Sequence, residues 1–239
     1  MAAPAAFRVA LLDVEGTVTP VAFVQDVLFP YARERISAWI QAYANDAEVS
    51  AAVNALRREH GEESGAEAPP PWKDSDPGAY ACWLIDHDRK STPLKTLQGK
   101  IWEEAYKAGL ILAPVYDDVP KALSRWTKGG REAVIFSSGS VLAQRLLFAN
   151  TNAGDLTRFL SGYFDTTTGP KREKASYEKI AAARGKTPAE VLFVSDVPAE
   201  LDAARQAGLR TALCVRPGAP EPRPGAAFHP VIHSLDEIP

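Results

Sequence analysis

Cysteine is scarce in this chain of 239 residues, which contains only two. Cys82 and Cys214 lie far apart in the sequence, and neither belongs to a Cys-x-x-Cys pair. A disulfide framework or a cysteine-based zinc site is therefore not expected. Cysteine usage of this kind favours a reducing compartment, and we predict a cytoplasmic protein.

The sequence also lacks a dominant charge and a long apolar run. Its 27 Lys and Arg residues against 30 Asp and Glu residues give a formal net charge of −3, so neither a nucleic-acid partner nor a membrane surface is expected. No apolar run approaches the ~20 residues that cross a bilayer. Residues 1–6 have neither the basic flank nor the apolar core of a signal peptide, and we interpret them as a frayed tail.

What the sequence does contain is a short apolar run, Val9 to Leu12, that ends in the carboxylate of Asp13. Such a run is typical of a strand buried on both faces of a parallel sheet. In open α/β sheets, ligands bind at the carboxyl ends of the strands. Glu15 follows two residues later, and two acids at a buried strand end are costly unless a cation such as Mg²⁺ holds them.

Two further apolar runs end in polar side chains in the same way. Residues 133–136 lead into Ser137-Ser138, and residues 191–194 lead into Ser195-Asp196. Because right-handed crossovers bring parallel strands side by side, we expect the polar strand ends to meet in one crevice. The coincidence of three such ends is more informative than any one of them.

The stretch between the first two strands has helical periodicity. Pro20 to Pro30 is an apolar segment that packs as it leaves the sheet, and apolar residues then recur at three- and four-residue spacing from Tyr31 to Gly109. Residues 61–76, rich in proline, glycine and acids, predict an exposed loop. Residues 217–230, rich in proline, predict a tail with little to pack.

These patterns predict an α/β fold with two domains. Residues 1–19 and 115–239 form a Rossmann-like parallel sheet with flanking helices, because strands and helices alternate there. Residues 20–114 form an inserted, all-helical cap domain. The hydrophobic content of 46% suffices for cores in both.

Phosphoryl transfer through a covalent intermediate needs a nucleophile, a metal ion, a grip on the phosphoryl oxygens and a proton carrier. Asp13 is the candidate nucleophile, which becomes an aspartyl-phosphate. Asp196 can complete a magnesium site with Asp13, together with a backbone carbonyl and water. Glu15 can protonate the leaving oxygen and later deprotonate the hydrolytic water.

Two further groups are candidates for binding the phosphoryl oxygens. Ser137, with the backbone N–H groups of Ser138 and Gly139 at a helix start, can accept an anion. Lys171 can reduce the repulsion between phosphate and Asp13. Each feature alone has a plainer interpretation, as a helix cap or a solvated charge. Their occurrence together and in this order favours a catalytic site.

The same residues give the chain a family resemblance. Asp13 to Thr19 resembles the first motif of the haloacid dehalogenase-like hydrolases, usually Asp-x-Asp-Gly-Thr, and Ser137, Lys171 and Asp196 match the other three motifs. With Glu15 in place of the second Asp, this motif is similar to that of the enolase-phosphatases of methionine salvage. Similar segments span nearly the whole chain: 23–31, 97–102, 137–141, 144–148, 163–166, Gly169 with Lys171, 176–177, 195–196 and 200–204.

That resemblance implies an enzyme with one Mg²⁺ per subunit that acts on 5-methylthio-2,3-dioxopentyl phosphate. It first enolises the diketone and then removes phosphate, giving the acireductone 1,2-dihydroxy-5-methylthiopent-1-en-3-one. The implied site residues are the Mg²⁺ ligands Asp13, Asp196 and the Glu15 carbonyl, and the substrate contacts Ser137, Ser138 and Lys171. The cap is expected to close over the methylthio end of the substrate. We expect a monomer whose only partner is its small phosphate ester substrate.

Some choices stay open at this point. The enolisation base is Glu15 or Lys171. Phe23, Trp102 and Tyr106 either line the substrate site or, more commonly for aromatic residues, pack between helices. The runner-up function is a haloacid dehalogenase-like phosphatase of another small phosphate ester. A receiver module phosphorylated on Asp13 without turnover is a third hypothesis, which Glu15 and the large cap disfavour.

Overall fold

The structure is a computed structural model, and it describes residues 7–63, 67–219 and 228–239. The predicted N-terminal tail, residues 1–6, lies outside the described residues. So do parts of the predicted loop 61–76 and of the predicted tail 217–230. The chain divides into two compact units. One comprises residues 1–21 and 112–239, and the other comprises residues 22–111.

The first unit contains a six-stranded sheet in the order β3-β2-β1-β4-β5-β6, with every neighbouring pair parallel. Its strands are β1 (Val9–Leu12), β2 (Glu132–Phe136), β3 (Leu160–Phe164), β4 (Val191–Ser195), β5 (Arg210–Cys214) and β6 (Val231–Ile232). The central strand β1 pairs with β2 on one side and with β4 on the other. The predicted Rossmann-like parallel sheet is confirmed.

The helices of this unit alternate with its strands. They are α6 (Asp118–Lys128), α7 (Val141–Ala149), α8 (Lys174–Ala183) and α9 (Pro198–Gln206). The strands are almost fully buried: all four residues of β1 are inaccessible to solvent. Helices α8 and α9 bury apolar faces against the sheet, including Tyr177, Ile180 and Leu201. Burial on both faces explains why the strands read as unbroken apolar runs rather than alternating ones.

The second unit consists of helices joined by loops, without a strand among its described residues. Its main helices are α2 (Phe29–Ala42), α3 (Ala47–Glu62), α4 (Gly78–Asp86) and α5 (Thr92–Lys107). Two of them, α3 and α5, begin at an N-cap side chain. The Asp46 carboxylate accepts N–H groups at the start of α3, Ser91 does so for α5, and Gly109 follows α5 with a positive φ.

The structure corrects one expectation about this region. Helical structure begins at Val21 rather than Tyr31: α1 (Val21–Phe23) runs into a π-helical turn, Val24–Leu28, and then into α2. The Phe29 N–H donates to the Val24 carbonyl, and the Leu28 carbonyl accepts the indole N–H of Trp102 at 2.9 Å. Pro30 lies in the first turn of α2, where its missing N–H costs little, so a proline there does not delimit the helix.

Two expectations from composition concern membranes and cysteines. Among the helices of the described ranges, none is both long and apolar enough to span a bilayer. Cys82 and Cys214 are free thiols, the first half-buried and the second buried.

Candidate active site

Asp13 lies directly after β1, and its backbone continues the sheet by donating from N–H to the Val194 carbonyl of β4. The residue is only 5% exposed. Oδ1 accepts the Val14 N–H at 2.8 Å and the Lys171 ammonium at 2.6 Å. Oδ2 lies 3.3 Å from the Ser195 hydroxyl. The carboxylate is therefore held on both oxygens in one orientation.

Lys171 lies between β3 and α8, and it is 8% exposed. Its own carbonyl accepts the Tyr177 hydroxyl at 2.6 Å, which ties the backbone to α8. Nζ contacts Asp13 and also lies 2.7 Å from Oε2 of Glu200. Burial by itself lowers the pKa of Lys171, but the two carboxylates outweigh it and the pKa is raised. The side chain is therefore a stable ammonium at neutral pH.

Glu200 is the site residue that the motif analysis missed. It lies in the first turn of α9, buried, and its Oε2 contacts both Lys171 and the Ser195 hydroxyl, the latter at 3.3 Å. Burial and the charge of Asp13 raise the pKa of Glu200. A signal was present in the sequence, because Glu200 shares a helix face with Ala204 and Ala207, and a charged residue on a buried face needs a partner.

Asp196 follows β4 and approaches the loop after β1 at Gly16. Gly16 has a φ of +69°, and a Cβ built there would overlap the Asp196 carboxylate. Burial and the nearby charge of Asp13 raise the pKa of Asp196 to about 6, with a smaller contribution from Glu15. Asp13 and Asp196 therefore repel each other at close range, as two ligands of an added cation would.

The Glu15 backbone belongs to a tight loop. Gly16 donates its N–H to the Thr19 carbonyl at 2.8 Å, and Glu15 and Thr19 form an isolated bridge. The Glu15 side chain is half-buried. Its charge contributes to the raised pKa of Asp196. Glu15 thus lies within electrostatic range of the Asp13 and Asp196 carboxylates, as the spacing of two residues predicts.

Ser137 and Ser138 follow β2, which neighbours β1, so they lie at the same edge of the sheet as Asp13. The Ser137 oxygen accepts the Gly139 N–H at 3.1 Å, which occupies one of the two amides predicted to bind phosphate. The Ser137 hydroxyl hydrogen remains able to donate. Gln144 on α7 holds this loop through hydrogen bonds of 2.9 Å to the Gly139 and Phe164 carbonyls.

The donor set fits a magnesium ion. Mg²⁺ binds one or two carboxylates and keeps several waters, and Asp13 and Asp196 supply two carboxylates close together. Within the described ranges, no group of three or more His, Cys, Asp and Glu side chains forms a metal cluster. The described residues therefore do not form the complete set of protein ligands that is typical of structural Zn²⁺ or Ca²⁺ sites. Two carboxylates with a backbone carbonyl suit Mg²⁺.

Comparison with known proteins extends this description. Residues 7–208 match the family model of the haloacid dehalogenase-like hydrolases. A protein of Synechococcus elongatus named enolase-phosphatase E1 is 53% identical over 100% of both chains. A protein of the same name from Sorangium cellulosum is 49% identical over 97% of both chains. Among solved structures, the UTR4 protein of Saccharomyces cerevisiae has a TM-score of 0.77 at 37% identity, covering 95% of this chain and 98% of that one.

Proposed function

The chain belongs to the enolase-phosphatase E1 family of haloacid dehalogenase-like hydrolases, and we propose that it converts 5-methylthio-2,3-dioxopentyl phosphate to the acireductone and phosphate. Its predicted family, fold class and phosphatase function in methionine salvage are confirmed by the full-length relatives. The roles of individual residues, the metal ion and the cap are proposals. They are supported by the geometry around Asp13.

The observation that carries the assignment of residues is the buried contact of Asp13 with Lys171. An ammonium 2.6 Å from a carboxylate at a strand end places positive charge where the phosphoryl group would approach that carboxylate. Glu200 holds the ammonium from its other side. With Asp196 nearby, three carboxylates and one ammonium leave this end of the sheet with a net negative charge. A bound divalent cation would restore the balance and allow an anionic substrate to approach.

Asp13, Asp196 and the backbone carbonyl of Glu15 would hold the Mg²⁺ that the family generally uses. When bound, Mg²⁺ neutralises phosphoryl charge and polarises oxygens of the substrate. Asp13 follows β1 and Asp196 follows β4, which pairs with β1, so both carboxylates lie at the same end of adjacent strands. The overlap of a side chain at Gly16 with Asp196 explains why this position has no Cβ.

In the phosphatase step, a carboxylate oxygen of Asp13 attacks phosphorus and the bond to the substrate oxygen breaks. Glu15 gives its proton to that leaving oxygen. The Glu15 carboxylate then takes a proton from water, the water oxygen attacks phosphorus, and the bond to Asp13 breaks. Phosphate leaves and Asp13 returns as a carboxylate. Lys171 and the hydroxyl of Ser137 bind phosphoryl oxygens throughout, together with Ser138.

The same geometry favours Glu15 over Lys171 as the enolisation base. Lys171 is buried between two carboxylates that raise its pKa, so it holds its proton and cannot accept another at neutral pH. Glu15 is half-buried and already serves as the proton carrier of the second step. In enolisation the Glu15 carboxylate would take the proton from carbon, and the Glu15 acid so formed would give that proton to the leaving oxygen of the second step. Solvent would protonate the enolate oxygen and, after hydrolysis, take the proton from Glu15. Lys171 would stabilise negative charge in both steps.

The helical unit, residues 22–111, is proposed as the cap. The three aromatic residues considered as substrate lining are buried within the described structure: Phe23, Trp102 and Tyr106. Trp102 stacks on Phe29 and donates its indole N–H to the Leu28 carbonyl. These contacts support a packing role for Trp102.

We also propose a cytoplasmic enzyme that works as a monomer and contacts only its small-molecule substrate. Two free cysteines agree with a reducing compartment. All residues assigned above come from one chain and one compact unit, so no second subunit is required to complete the site. Light scattering at the assay concentration tests the monomer.

One experiment tests the function and the division of roles together. Enol absorbance and phosphate release are followed in the same anaerobic cuvette, with Mg²⁺ and then with EDTA. We expect wild type to give both signals with Mg²⁺ only. Asp13→Asn should lose phosphate release by at least about 10³-fold, because the nucleophile is gone. Glu15→Gln should lose both signals by about 10²-fold or more.

Asp117→Asn is the matched control, since Asp117 is an exposed acid of the same unit and should leave both signals unchanged. A Glu15→Gln variant that still forms enol at the wild-type rate would remove Glu15 as the base. If wild type hydrolysed other phosphate esters and left the diketone ester intact, the runner-up phosphatase would replace the proposed substrate.

A further inference from the structure

A second buried cation contacts the loop that carries Asp13 and Glu15. Arg216 follows β5 and is 5% exposed. Its guanidinium donates from Nε at 2.9 Å and from Nη2 at 2.5 Å to one acceptor, the carbonyl of Thr17. Thr17 lies two residues after Glu15. The side chain therefore reaches from the end of β5 to the middle of the loop.

The loop needs such an anchor because it is not part of a strand or helix. Three of its internal hydrogen bonds converge on one atom: the Val14 carbonyl accepts the N–H groups of Thr17, Val18 and Thr19 at 3.3, 2.8 and 3.0 Å. The Thr17 carbonyl takes its hydrogen bonds from the Arg216 side chain instead. Two donors from Arg216 saturate this buried carbonyl, which would otherwise be costly.

Arg216 is itself held on its other side. Nη1 donates to Oδ2 of Asp118 at 2.6 Å, and the ring of Tyr116 lies 4.2 Å from the guanidinium carbon. The same Asp118 oxygen accepts the hydroxyl of Ser234 at 3.0 Å and the N–H of Leu235 at 2.5 Å. Helix α6, strand β5 and the segment after β6 thus fix the guanidinium plane from three directions.

We propose that Arg216 is a positioning residue for the reaction: through the Thr17 carbonyl it fixes the loop of residues 13–19, and with it Asp13 and Glu15, in reacting geometry. This inference rests on the proposed roles of Asp13 and Glu15. Arg216 contacts no substrate in this scheme. It acts through the backbone, and Asp118 orients it.

The size of the effect follows from how sharply reactivity depends on geometry. A displacement of about 1 Å at reacting groups can cost about 10²-fold in rate. Asp13 is tied independently by Lys171 and by its backbone bond to Val194, so it should move little. Glu15 lies nearer to Thr17 and outside the sheet, so the proton-transfer role of Glu15 should suffer most.

Arg216→Lys tests the inference, because lysine keeps the charge beside Asp118 but cannot donate two bonds to one carbonyl in the guanidinium geometry. We expect kcat for phosphate release to fall about 10- to 100-fold, with KM within about threefold of wild type, since ground-state binding is not the affected interaction. Arg210→Lys is the control. Arg210 starts the same strand, is half-buried and donates to the Ala189 carbonyl at 2.7 Å.

A second variant separates positioning from folding. Arg216→Ala removes the guanidinium from a site that the Thr17 carbonyl, Asp118 and Tyr116 surround, and its activity per folded molecule is measured with millimolar guanidinium chloride or sodium chloride. We expect guanidinium, and not sodium, to raise kcat at least fivefold. Circular dichroism gives the folded fraction. If Arg216→Ala does not fold, Asp118→Asn takes its place, with an expected fall in kcat of about three- to tenfold.

Two results would overturn the proposal. One is an Arg216→Lys enzyme with wild-type kcat and KM and only a lower unfolding midpoint, because Arg216 would then merely stabilise the fold. The other is a change in KM alone, which would indicate a contact with substrate. The Asp13→Asn assay keeps these apart from failure of the proposed function. If Asp13→Asn is inactive and Arg216→Lys is normal, only this inference fails.

Discussion

Two buried cations, Lys171 and Arg216, stand out among the described residues of the sheet-bearing unit, and they differ in what surrounds them. The Lys171 ammonium lies between two carboxylates, Asp13 at 2.6 Å and Glu200 at 2.7 Å. The Arg216 guanidinium pairs with one carboxylate, Asp118 at 2.6 Å, and gives its other two hydrogen bonds to a neutral carbonyl. The first arrangement has an excess of negative charge, and the second is balanced.

This difference in charge distinguishes the proposed reacting site at Lys171 from the structural contacts at Arg216. Buried charge without compensation is costly, and it persists where a ligand completes it. The raised pKa of Asp196, caused by burial and by Asp13, is part of the same excess at the Lys171 site. At Arg216, each guanidinium nitrogen donates to an acceptor, and the charge of Asp118 offsets that of the guanidinium. A balanced buried pair is typical of a structural role, here the support of the loop after β1.

The largest effect is expected from removing the cation of the unbalanced site. Lys171→Met leaves Asp13 and Glu200 as buried like charges and removes a group that binds phosphoryl oxygens. We expect phosphate release to fall by about 10²- to 10³-fold and the unfolding free energy to drop by about 3 kcal/mol or more. Phosphate release and chemical denaturation of the same preparation measure both. Lys174→Met, an exposed lysine nearby, should change neither.

An active Lys171→Met enzyme would contradict the assignment of Lys171 to the reacting site. Lys171 and Arg216 would then both be structural cations, and their different surroundings would not reflect different roles.

A smaller effect is expected at Gly16, where backbone conformation and close approach coincide. Gly16→Ala introduces a Cβ at a φ of +69° and against the Asp196 carboxylate, so Asp196 must move. Gly130→Ala is the matched control, because its φ is +73° and a Cβ there meets open space. Both variants should lose about 1–2 kcal/mol of stability from the left-handed backbone.

Only Gly16→Ala should also lose activity, by about tenfold or more, since a displaced carboxylate changes the proposed metal site. Titration with Mg²⁺ in the phosphate-release assay should require a higher concentration for half-maximal rate. Equal activity of the two variants would show that Asp196 does not need its present position.

The sequence predicted the strand ends better than the residues that support them. Asp13, Ser137 and Asp196 each follow an apolar run, and the run marks both the strand and the direction of its end. Lys171 follows a weaker strand and was found through its motif. These positions depend on local pattern alone, which is why one sequence sufficed. Their roles stay predictions, as do the boundaries of the cap.

Glu200 and Arg216 were missed because their role depends on tertiary partners. Arg216 also follows an apolar strand, so it carried the same signal as Asp196 but had no recognised motif. The start of helical structure at Val21 was missed for a different reason: two prolines were interpreted as boundaries, although Pro30 lies where a helix tolerates it. Hydrogen bonds across many residues of sequence, such as Arg216 to Thr17, leave no periodic pattern to detect.

The smallest expected effect concerns Asp118, the carboxylate that pairs with Arg216. Burial by itself raises the pKa of Asp118, but the Arg216 guanidinium and the Leu235 N–H outweigh it, and the pKa ends below its usual value. A depressed carboxyl pKa contributes stability above the unfolded-state pKa of about 3.9, and that contribution is lost as pH falls through the folded-state pKa. Asp118→Asn should therefore cost about 2 kcal/mol at pH 7, and the difference from wild type should shrink below about pH 4.

Urea unfolding of wild type, Asp118→Asn and the exposed neighbour variant Asp117→Asn at pH 7, 5, 4 and 3 measures this dependence. Asp117→Asn should stay within about 0.5 kcal/mol of wild type at neutral pH. A difference for Asp118→Asn that is constant across the series would mean that the shape of the side chain, and not its charge, holds Arg216. The negative charge of Asp118 would then contribute little to holding the guanidinium. Lys171 and Arg216 would differ only in the number of carboxylates that contact them.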